Sequence, residues 1–130
     1  MAFKIHNMKS MAERPLEYYT TTDNEAIAIG EALVLTSGYL TKCGATATPE
    51  FIAMEATSDT ATIAVVRVTE DMVFEVPIYG DGSSSVVGTK VTLHTDGLQV
   101  TPTTSSGVFY LTEIVAGGAT GTPVRGMFRR

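Results

Sequence analysis

Nucleophilic catalysis needs a serine or cysteine beside a base that a third group orients. Cys43 is the single cysteine of this 130-residue chain, and His6 and His94 are its two imidazoles. His6 falls in an irregular N-terminal stretch. His94 falls on the polar face of a hairpin, where a solvated ring is the ordinary state. Cys43 ends an apolar run, the usual place for a small buried hydrophobe. A lone cysteine forms no intrachain disulfide, and zinc frameworks need Cys or His clusters that are absent from the sequence. No metal and no cofactor is expected.

Carboxylates offer little more. Glu70 and Asp71 are adjacent, with Glu75 nearby. Neighbours on a strand point to opposite faces, so Glu70-Asp71 reads as a charged turn rather than a catalytic dyad. Asp81-Gly82-Ser83 lacks the alternating acidic ligands of a calcium loop. Gly82 to Lys90 has some letters of a phosphate loop, but with five residues between the glycines and Thr89 before Lys90. A P-loop also opens a helix, whereas Val91 onward reads as a strand. The chain is therefore not expected to be an enzyme unless a site forms between subunits.

The elements around these residues are short apolar runs cut by turn signals: 26–29, 32–36, 39–43, 51–56, 62–68, 72–79 and 108–115, with 124–128 as a last strand. Such punctuation predicts an all-β fold, a small antiparallel β-barrel or sandwich. Met72, Phe74, Val76 and Ile78 alternate with more polar neighbours, a half-buried strand. Pro77 lacks an N–H and should sit at an edge or end. Ile63-Ala64-Val65-Val66 is apolar on both faces and fits a central strand, or one covered by another subunit. Asp96-Gly97 predicts a two-residue type I′ turn, pairing Thr92 with Thr101, Leu93 with Val100 and His94 with Gln99.

Charge divides the chain. The formal net charge is −5, with 9 basic and 14 acidic residues. Residues 1–24 balance, with three of each sign; residues 25–124 hold three basic and eleven acidic residues; Arg125, Arg129 and Arg130 close the chain with no acid. An acidic body argues against a nucleic-acid ligand, since that affinity comes largely from basic contacts to phosphate. No run approaches the ~20 apolar residues of a membrane span. The N-terminus lacks the apolar core of a signal peptide, which predicts synthesis in a reducing cytoplasm.

Residues 1–24 differ in texture from 25–130. Phe3, Ile5, Met8, Met11, Leu16, Tyr18 and Tyr19 are scattered without a sustained period, and Thr20 to Asn24 reads as a linker. The division expected is an extended N-terminal arm and linker at 1–24 and a β-domain at 25–130. The first segment is either an arm that docks on a partner or an N-terminal strand of its own domain.

Several phrases resemble a known family: Ala32-Leu33-Val34-Leu35-Thr36-Ser37-Gly38-Tyr39-Leu40-Thr41-Lys42, Pro49 to Ala56, Ala64 to Glu75, Val87 to Val91, and Ser106 to Phe109. Over roughly 25–128 the chain resembles the capsid decoration, or cement, proteins of tailed bacteriophages. The resemblance implies a compact β-domain on the outer surface of an icosahedral head. It implies binding to the major capsid protein and bridging of neighbouring subunits, usually as a trimer and in some relatives as a dimer or monomer. Arms that add strands to capsid proteins are part of that pattern. The anchors expected are Phe3, Ile5, Met8, Met11, Tyr18 and Tyr19, since aromatic and Met side chains are enriched at interfaces. Other readings are a phage fibre or tail component, and a glycan-binding sandwich using Tyr39, Tyr79 and Tyr110. A small hydrolase built on Cys43 or His94 ranks last.

Overall fold

A computed structural model describes residues 2–8 and 15–129. Among the described residues, ten strands form two five-stranded antiparallel sheets. They are β1 (Lys4–Met8), β2 (Leu16–Thr20), β3 (Ala32–Thr36), β4 (Tyr39–Lys42) and β5 (Phe51–Ala53), then β6 (Thr62–Arg67), β7 (Met72–Pro77), β8 (Lys90–Val91), β9 (Phe109–Ile114) and β10 (Pro123–Phe128). The first sheet has the order β1-β7-β10-β9-β8 and the second β2-β6-β5-β3-β4. They pack as a sandwich; neither is a closed barrel. The one helical element among the described residues is a 3-10 turn at Ala116–Gly118.

Strand alternation explains two hydrophobic clusters. Ala32, Ile52 and Val66 of the second sheet join Phe74, Phe109 and Phe128 of the first in the core between the sheets. The opposite-facing residues of the second sheet, including Leu33, Phe51, Ile63 and Val65, form their own cluster. The sheet rolls over that cluster. Just past β2, Thr21 bridges Leu40 of β4 in parallel, so the two edges meet at one point. This roll is why β6 is apolar on both faces: Ile63 to Val66 are all buried, and β6 lies between β2 and β5.

Pro77 falls at the end of β7, where β1 no longer runs beside it; β1 pairs β7 only as far as Glu75. The hairpin pairs are as expected. Leu93 bridges Val100, His94 N–H donates to Gln99 O at 2.9 Å, and Thr101 N–H to Thr92 O at 2.9 Å. The turn is different. Gly97 N–H donates to His94 O, and only Gly97 of the Asp96-Gly97 pair has positive φ, +73°. Asp96 instead caps the loop: its Oδ1 accepts Leu98 N–H at 2.8 Å and its Oδ2 accepts the Gln99 amide at 2.9 Å. The two-residue turn with both residues at positive φ is Ser37-Gly38 (52° and 86°), joining Thr36 to Tyr39.

Of the described residues in 1–24, Lys4–Met8 and Leu16–Thr20 are strands of these sheets and Asp23-Asn24 is a turn. β1 pairs β7 at one edge of the first sheet, and β2 pairs β6 at one edge of the second.

Candidate partner-binding edges

The N-terminal strand enters the fold through Phe3. Its N–H donates to Gly30 O at 3.0 Å. Its ring is 2% exposed and lies 6.2, 5.8 and 5.2 Å from those of Phe74, Phe109 and Phe128. Phe3 is thus a core residue here, not a free anchor. Ring contacts with these three side chains bury the apolar area that fixes β1 on the sheet.

Alternation places Ile5 on the same side as Phe3, but nearer the rim, and it is 40% exposed. The β1–β7 register then slips between Ile5 and Asn7, leaving His6 as the extra residue of a bulge. Met8 is the last residue of β1, paired with Met72. Met11 lies outside the described residues.

β2 carries the larger apolar stripe. Its register with β6 is continuous from Leu16↔Val66 to Thr20↔Thr62. Tyr19 faces the second cluster, with its ring 5.0 Å from that of Phe51. Leu16 and Tyr18 point the other way and are 47% and 62% exposed. Of the six expected anchors, then, Ile5 and Tyr18 present exposed side chains, while Phe3 and Tyr19 pack on their own domain. Leu16 was not among the expected anchors; its alternation with Tyr18 was the available signal.

Several charged groups beside these edges are paired. Arg67 donates through Nε and Nη2 to both oxygens of Glu17, each at 2.9 Å. Tyr19 O–H donates to Glu17 at 2.7 Å. The hydrogen bond from Arg67 and that from Tyr19 hold the Glu17 carboxyl below its usual range. At the other terminus, Arg125 reaches Glu75 at 3.0 Å and Glu113 at 3.1 Å. Arg129 lies over the Tyr110 ring at 5.2 Å. The two described arginines of the basic end are thus engaged on the body.

The residues with catalytic letters are dispersed. Cys43 is buried, its Sγ donates to Ala47 O at 3.0 Å, and burial pushes its thiol up to about 11. A thiol so rarely ionised is a poor nucleophile. His94 Nδ1 accepts the Asp96 N–H at 3.2 Å, and its ring lies 4.3 Å from that of Tyr79. Glu70 and Asp71 form the expected turn, with the Thr69 hydroxyl donating to Asp71. Among the described residues, no three His, Cys, Asp or Glu side chains cluster as a metal site.

One chemically unusual group has no signature in the sequence. Glu31 is 1% exposed, in the turn before β3. Its Oε1 accepts Ala28 N–H at 3.2 Å, and Lys42 Nζ lies 3.1 Å from Oε2 without hydrogen-bond alignment. Burial raises its pKa, against the Ala28 hydrogen bond and Lys42.

No protein-family model matches the chain. No curated protein matches it either.

Proposed function

We propose that this chain is a structural virion protein that binds the outside of an icosahedral phage head and bridges neighbouring major capsid subunits. The observation that carries the reading is the exposed apolar side chains on two edge strands, Ile5 on β1 of the first sheet and Leu16 and Tyr18 on β2 of the second. Edge strands with exposed apolar side chains suit partners that add a strand and fill side-chain pockets. The resemblance to decoration proteins supplies the identity of the partner. In this reading the chain is a homo-oligomer, a trimer by preference. Several weak contacts then act together, and avidity exceeds each contact alone. The acidic body faces solvent and the chain has no catalytic role.

Cosedimentation with expanded heads lacking the chain tests this. Wild-type protein should pellet with the heads and saturate at a fixed number of copies. A Leu16→Ser, Tyr18→Ser variant of unchanged melting temperature should not. Wild-type protein that stays in the supernatant, or a variant that binds as well as wild type, overturns the reading.

A second reading, a glycan-binding module, rests on the exposed Tyr79 ring, tilted against that of His94, beside an open hollow lined by Gly80, Asp81 and Thr120. Saturable glycan binding that is lost in Tyr79→Ala would favour it.

A further inference from the structure

Glu31 is sealed from water, but the cation beside it is not. The Glu31 side chain is 1% exposed and that of Lys42, on β4, is 42% exposed, with Nζ 3.1 Å from Glu31 Oε2. A carboxylate taken out of water depends on its counter-ion, and removing that partner leaves an uncompensated buried charge. Among the described residues, the other charged group acting on Glu31 is Glu25, an anion. Its own oxygens accept the Thr41 hydroxyl at 2.7 Å and the Lys42 N–H at 3.0 Å. In the adjoining hairpin turn, His94 and Asp96 face each other at 3.2 Å.

The turn around Glu31 holds several elements in place. Glu31 Oε1 accepts Ala28 N–H at 3.2 Å, which closes residues 28–31. Gly30 O accepts Phe3 N–H at 3.0 Å, and Gly30 N–H and Glu31 O bond to Ala53 of β5. A Cβ on Gly30 would lie 2.5 Å from that of Ala2, so the entry to β1 sits directly on the turn. Ala32 N–H donates to Gly97 O at 2.9 Å, and a Cβ on Gly97 would lie 3.0 Å from Glu31 Cγ. The start of β1, β5 and the 92–101 hairpin thus meet around one carboxylate.

We infer that Glu31 and Lys42 form a charge latch on this junction. With the ammonium on the carboxylate, turn 28–31 stays closed and seats the entry of β1. When the ammonium leaves, the buried charge draws water in, and the turn and the Phe3 N–H loosen. Protonation of Glu31 closes the turn again, because a neutral carboxyl needs no counter-ion. The opening is local, confined to residues 2–3 and 28–32, and the Phe3 ring stays in the core. The latch operates whether or not the chain binds heads.

Amide hydrogen exchange followed by NMR on the full chain tests this. The proteins are wild type, Lys42→Met, Glu31→Gln and the double variant. Protection factors of the Phe3, Ala28 and Ala32 amides report the latch, and those of β6 and β10 report global stability. At pH 7, Lys42→Met should lower the first set about tenfold and the second by no more than about twofold. That is well below the roughly hundredfold or more expected on breaking a fully buried pair, because Lys42 is already partly solvated. Burial raises the folded-state pKa of Glu31 above its ordinary 4.5, so the deficit is full at pH 7 and should vanish at pH 4. The double variant should match Glu31→Gln at both pH values. Undiminished protection in Lys42→Met at pH 7 would overturn the latch, as would an equal loss in β6 and β10. So would a deficit at pH 4 as large as at pH 7, or a double variant as loose as Lys42→Met alone. If Lys42→Met does not fold, adding Glu31→Gln should restore folding, and an unfolded double variant overturns the latch.

Discussion

Replacing Phe3 with alanine distinguishes a core strand from a docking arm. The ring makes contacts with Phe74, Phe109 and Phe128 and is almost fully buried. Phe→Ala in a core costs about 3–5 kcal/mol. Phe3 sits at a chain terminus on an edge strand, where neighbours collapse or the strand peels more readily than in a central layer. About 3 kcal/mol is therefore the expected loss, a large part of the roughly 5–15 kcal/mol that holds a domain together. For a chain of this size that lowers the melting temperature by roughly 10–15 °C. Tyr18→Ala is the control: its side chain is 62% exposed, and the change should stay within about 1 kcal/mol. Urea titration followed by circular dichroism measures both. A Phe3→Ala loss below about 1 kcal/mol, or a Tyr18→Ala loss that exceeds it, would refute the placement of Phe3 in the core.

Three further outcomes are expected. Gly126→Ala puts a Cβ 2.3 Å from Tyr110 O, an overlap with backbone, and should cost more than about 3 kcal/mol; Gly38→Ala meets nothing within 4 Å and should cost only the strain of positive φ, about 1–2 kcal/mol. Denaturation midpoints that rank the two the other way contradict the β9–β10 register. Glu31→Gln keeps an acceptor for Ala28 N–H and removes a buried charge. The raised folded-state pKa means Glu31 favours folding below its unfolded value near 4.5 and loses that contribution as pH rises through the folded value. The variant should gain on wild type between pH 4 and 7, because exposed Lys42 can turn to water; urea midpoints at both pH values check the sign. Cys43, with its thiol pushed up to about 11, should resist a disulfide reagent at pH 8 in the folded protein and react fully in urea.

Much of the second sheet was legible because its signals are local. The runs at 32–36, 39–43 and 62–68 become β3, β4 and β6 with ends moved by no more than one residue. The Asp96-Gly97 hairpin shows where local rules stop. Its cross-strand pairs are as expected, since residues 92–94 and 99–101 alternate cleanly. Its turn type is not, because the Asp96 carboxylate has a better use as acceptor for Leu98 and Gln99 than a left-handed backbone would allow. Long-range choices left no local trace. Nothing near residue 124 states that β10 inserts between β7 and β9. Nothing in Gly30-Glu31 separates a solvated turn from a carboxylate sealed beneath the Gly97 loop. Phe3 was visible as an aromatic in an irregular stretch, but its destination depends on Phe74, Phe109 and Phe128, which lie at least 71 residues away in sequence.

The two N-terminal edges do not offer a partner the same thing. β1 carries two devices that blunt strand addition, a bulge at His6 and an exposed lysine at Lys4. A strand added along its full length would meet a register break after Ile5. β2 has no bulge, and its backbone runs in unbroken register with β6 over five residues. Its outer side is met by β4 only from Thr21 onward, at the bridge to Leu40. The stretch from Leu16 to Tyr19 is therefore the flatter acceptor. Under the head-binding proposal, main-chain pairing falls on β2 and Ile5 contributes only a side-chain contact. A proline at Glu17 would remove an N–H needed either by β6 or by the partner, so it discriminates poorly. Tyr18→Lys discriminates well: it adds charge at an exposed position without altering the ladder. It should abolish cosedimentation while moving the melting temperature by no more than a few degrees. Ile5→Lys should weaken binding far less. If Ile5→Lys proves the more damaging of the two, the dominant contact lies on β1, and the bulge at His6 is part of the docking surface rather than a guard against it.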